Sequence, residues 1–166
     1  MDINKAYHIA GVIVATHHAH FHRLEGRLPL NAINGLESVI KPDPKRLPAA
    51  SSVTTPNGGD SRVEDERLML LLAGRQAELI HFTLNAPTQL DFHMADLNLA
   101  LPAEIKADPT RLRQRVTEAL SVVTRNWHQI ECLAAWLTRQ DREVLPTSDL
   151  IREISAIRPD DHGLFP

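Results

Sequence analysis

At 166 residues, 43% apolar and 23% charged, the chain has the size and make-up of one globular domain with a sizeable core. Its net charge of −3 with histidine neutral gives no electrostatic case for nucleic acid or an anionic membrane. A single cysteine, Cys132, excludes intrachain disulfides, argues against a cysteine-based zinc site and reads as a small buried hydrophobe on a helix. No run reaches the ~18 apolar residues of a membrane span. No basic leader precedes an apolar stretch, and no Walker A pattern is present. These features predict a cytoplasmic protein with no membrane insertion and no nucleic-acid partner.

Lys5 to His22 reads as a helix, with Asp2 or Asn4 available as N-cap. Ala6, Ala10, Val14 and Ile9, Ile13 recur at helical spacing, so most of the turn is expected to be buried. Five histidines fall in this stretch: His8, His17, His18, His20 and His22. Gly26, Pro29 and Gly35 then break helices. Short extended pieces are expected around His20–Leu24 and Leu36–Ile40, making a sheet of two or three strands. Residues 42–61, rich in Pro, Ser, Thr and Gly, read as a flexible insertion loop.

Val63 to Phe82 is the strongest apolar helix, with Asp60 or Ser61 as cap and Glu64, Asp65 and Glu66 in the first turn. Leu68 to Leu72 is apolar all round, which predicts a central position. Gly74 inside it costs about 1 kcal/mol relative to alanine, and a close helix contact would explain it. Leu90 to Leu101 reads as a further helix, with Leu90, Met94, Leu97 and Leu101 on one face. Asp108 and Pro109 make a good N-cap and first position for the longest helix, roughly Thr110 to Gln140. Its stripe is Leu112, Val116, Leu120, Val123, Trp127, Ile130, Ala134 and Leu137. A last short helix starts at Thr147 or Ser148 and carries Leu150, Ile151 and Ile154. The expected fold is mainly α, with about five helices and a small sheet in one domain over 1–157, followed by a flexible tail at 158–166.

Three blocks in order, and beyond them the long helix with the segment that ends it, resemble the peptidase domain of the FtsH-type AAA+ zinc proteases. The blocks are Ala6-Tyr7-His8-Ile9-Ala10-Gly11-Val12, Leu72-Ala73-Gly74-Arg75-Gln76-Ala77-Glu78 and Leu90-Asp91-Phe92-His93-Met94-Ala95, and the ending segment is Val144-Leu145-Pro146-Thr147-Ser148-Asp149-Leu150-Ile151. The resemblance implies that His8 matches the family's first zinc ligand and Asp91 its third. Ile9 stands at the general-base position and Val12 at that of the second ligand. Zinc hydrolysis in this layout uses three protein ligands and a water whose proton a glutamate takes. Two of the three chemical residues of the helix are therefore apolar. The family's ATPase and membrane segments have no counterpart in these residues.

The reading that follows is a pseudoprotease, a peptidase fold serving as a binding or assembly module. A protein partner or an unfolded polypeptide is the implied ligand, and the family's hexameric rings permit a homo-oligomer. No cofactor is expected, or zinc if the site functions. The alternative is an active zinc-dependent peptidase with a rearranged metal site, in which His93 or the histidine cluster joins His8 and Asp91. His18 and His22, four residues apart, offer a separate metal pair if both lie on the helix. Otherwise they belong to a solvated helix end. His22 would then lie about 21 Å along the axis from His8, too far to replace Val12. Without metal, His8 is expected to pair with Asp91. Arg75 and Glu78 are expected to make structural polar contacts, His81 and His128 to lie at the surface, and Trp127 and Trp136 to be core.

Overall fold

The computed structural model describes residues 1–31, 35–47, 60–85 and 108–157. The chain is mainly helical, with two small two-stranded antiparallel sheets among the described residues. The first helix, α1, runs Ile3–His17. Asp2 caps it: its Oδ1 accepts from the amides of Asn4 (3.0 Å) and Lys5 (3.2 Å), which satisfies two otherwise orphaned donors. Everything from Ala6 to Thr16 is buried, so α1 is the central helix and not merely amphipathic.

The helix stops five residues short of the expected His22, and the cause lies in α3 (Ser61–Asn85). Glu66 on α3 accepts from the backbone amides of His20 and Phe21, each at 2.7 Å. In a continuing helix those amides would bond Thr16 and His17. A charge-assisted acceptor outcompetes the two neutral carbonyls. The chain leaves the helix and enters β1 (His22–Leu24).

Strand β1 pairs with β3 (Ile40–Pro42) in the register His22↔Pro42, Arg23↔Lys41, Leu24↔Ile40. The extended piece expected at Leu36–Ile40 is therefore displaced: Leu36–Val39 forms one helical turn, α2, and extension begins at Ile40. Strand β2 (Arg27–Pro29) follows β1 through Gly26, whose φ of 98° suits glycine. Its partner is β4 (Val144–Pro146), with Leu28 opposite Leu145 and both fully buried. Thr147 donates through its amide and its hydroxyl to Gly26 O, at 3.1 and 3.0 Å. The second sheet thus ties the late part of the chain to its first turn.

Asp108 caps α4 (Pro109–Arg125) as expected, its Oδ1 accepting from Arg111 N at 3.0 Å. Arg111 Nε donates to Asp65 at 2.7 Å and fastens α4 to α3. The expected single helix to Gln140 is broken at Asn126, and α5 spans Trp127–Thr138. Asn126 leaves helical geometry (φ −109°, ψ 23°), and Val122 O accepts from both its backbone amide at 3.2 Å and its side-chain amide at 2.8 Å. The break lets α4 pack on α3 while α5 packs on α1. The last helix, α6, is Thr147–Ala156, buried through Thr147, Leu150 and Ile154.

One core joins these elements. Its largest fully buried side chains include Ile9, Ile13, Leu70, Leu72, Ile130, Leu133, Leu137, Leu145, Leu150 and Ile154. The expected helix at 90–101, the tail at 158–166 and most of the insertion loop lie outside the described residues. Among the described residues, no helix is long and apolar enough to cross a membrane.

Candidate functional site

Helices α1 and α3 cross closely, and glycine makes the approach feasible. A Cβ on Gly11 would fall 2.7 Å from Ala73 O and 2.7 Å from Ala77 Cβ. One on Gly74 would fall 2.6 Å from Val12 Cγ2, 2.7 Å from His8 O and 3.0 Å from His8 Cδ2. The face of α1 carrying His8 and Val12 is thus pressed against α3. The close contact expected from Gly74 is its physical reason for being there.

His8 is buried, and its Nδ1 lies 3.4 Å from Glu78 Oε2. The contact is long, and with a carboxylate as acceptor it requires a proton on Nδ1. Arg75 donates to the same oxygen at 2.8 Å. Burial pushes the Glu78 carboxyl up, but the hydrogen bonds from His8 and Arg75 outweigh it and hold Glu78 below the usual carboxylate range. The sequence points to Arg75 and Glu78 only as residues making structural polar contacts and does not single out Glu78 as the partner of His8. A usable signal existed, because Glu78 sits one turn after Gly74 and so shares the face against α1.

Ile9 and Val12, at the base and second-ligand positions of the resemblance, are 0% exposed. Neither carries a donor atom. Of the described positions that the resemblance assigns to zinc chemistry, His8 alone can ligate a metal. Asp91 and His93 lie outside the described residues. Among the described residues, no three His, Cys, Asp or Glu side chains group as metal ligands. These residues do not fit a three-ligand hydrolytic zinc centre.

The histidine run is divided by the end of α1. His17 and His18 meet ring edge to ring face with centroids 5.1 Å apart, and His18 Nε2 donates to Gln129 Oε1 at 2.8 Å. His20 is exposed. His22 is turned inward, 2% exposed, and its Nδ1 donates to Glu66 Oε2 at 2.8 Å. The helical His18/His22 spacing is not realised, because His18 is the C-cap and His22 lies in β1. Burial pushes the Glu66 carboxyl up, yet the bonds from His22, His20 and Phe21 hold it below its ordinary value.

On the neighbouring face of α1, Tyr7 is sandwiched. His81 of α3 stacks on it at 3.8 Å and Trp127 of α5 at 5.5 Å. His81 is therefore half-buried and not a free surface residue. Burial, with Glu131 and Cys132 nearby, pushes the Tyr7 hydroxyl up. Cys132 is only partly buried and lies 3.7 Å from His128 Nε2, one turn earlier on α5. Trp127 is core, and Trp136 is partly buried against it.

These environments predict an acid-sensitive fold. Burial lowers His17 and His81 from their ordinary 6.5, so the folded state resists their protonation. Their stability contribution is complete above 6.5 and is lost as pH falls below it. Glu66 and Glu78, depressed from 4.5, contribute fully above that value and lose it as pH falls through their lower folded values. Urea midpoints should drop in two stages on acidification, the first setting in as pH falls below 6.5 and the second as it falls below 4.5. A midpoint unchanged over that first stage would contradict the histidine assignment.

A scan against protein-family models and searches of characterised proteins and of solved structures each found no match to the chain.

Proposed function

We propose that the chain is a degenerate FtsH-like peptidase domain acting as a protein-binding or assembly module, without the family's zinc-dependent hydrolysis. The observation that carries this reading is the full burial of Ile9 and Val12, with Val12 pressed against Gly74 of α3. A general base is worth ~10²–10⁴ in rate, and Ile9 cannot take a proton. Val12 removes a ligand from a centre that needs three. His8 has instead a carboxylate partner in Glu78 on its own scaffold. The partner proposed is a protein or an unfolded polypeptide, with self-association in keeping with the rings of the family. A cytoplasmic setting accords with one cysteine and no long apolar helix among the described residues.

The test uses the whole chain purified without a polyhistidine tag. Elemental analysis should return far less than one zinc per chain. Casein incubated with the protein and added zinc should remain intact, for the parent and His8→Ala alike. Cleavage that requires zinc and disappears in His8→Ala would overturn the proposal and establish the rearranged-site peptidase. Fluorescence anisotropy with labelled unfolded casein and sedimentation analysis address the other half. Binding or self-association is expected, and the loss of both would remove the module reading.

A further inference from the structure

No further inference is drawn: the strongest candidate, the buried Glu66–His22 pair between α3 and β1, whose His22 Nε2 meets no hydrogen-bonding partner, carries nothing because nothing in the structure shows what would bind there and no metal-ligand group forms among the described residues.

Discussion

Gly74→Ala and Gly11→Ala should each destabilise the protein by about 2–4 kcal/mol, the upper range of overpacking costs. Two effects oppose one another. Alanine in a helix interior gains about 1 kcal/mol over glycine. Against that, the new methyl on residue 74 would lie 2.7 Å from His8 O, and that on residue 11 would lie 2.7 Å from Ala73 O. Backbone atoms of packed helices cannot swing aside as a long side chain does, so the clash wins. Val12 Cγ2 is the nearest atom to the residue-74 methyl, at 2.6 Å. Val12→Ala should therefore recover part of the Gly74→Ala loss, appearing as favourable coupling in a double-mutant cycle. Urea denaturation of the four proteins decides the matter. A Gly74→Ala variant as stable as its parent would show that the helices do not approach this closely.

The second large effect is expected at Glu66. Its carboxylate accepts from His20 N, Phe21 N and His22 Nδ1 within 2.7–2.8 Å. Glu66→Ala would leave three donors without their acceptor. Each buried orphan costs roughly 1–3 kcal/mol, with partial rescue by water at His20, so a total near 3–4 kcal/mol is expected. Glu66→Gln retains the shape but puts an NH₂ among donors and should cost about 2 kcal/mol. Hydrogen exchange supplies the local readout: the amides of His20 and Phe21 should exchange faster while those in the middle of α1 change little. Uniform acceleration along α1, or no change at His20 and Phe21, would be incompatible with a local clamp.

Much of this architecture was legible because it follows from near-neighbour physics. Asp108-Pro109 announced the start of α4, Asp2 capped α1, and the leucine-rich run at 68–72 reached the core. What could not be read was decided across long sequence separations. The end of α1 depends on Glu66, which as a first-turn acid looks no different from Glu64 or Asp65. Strand β4 is three residues long and exists because Leu145 finds Leu28; alone, Val144-Leu145-Pro146 resembles a helix stop. At Asn126 the apolar stripe continues unbroken through Val123 and Trp127, so periodicity concealed the break between α4 and α5. At the candidate site, His8, Ile9 and Val12 were placed on one buried helix correctly. The sequence pairs His8 with Asp91, which lies outside the described residues; within them, the glycine contact between helices brings Glu78 to His8.

The three-ring stack of His81, Tyr7 and Trp127 draws one ring from each of α3, α1 and α5. An indole in van der Waals reach of a phenol reports its surroundings through its emission. Withdrawal of the central helix by even one ring thickness would strip Trp127 of its cover and shift its fluorescence to the red. The molecule thus contains an optical gauge of whether that helix is seated, read against the emission of Trp136, which is not one of the three stacked rings.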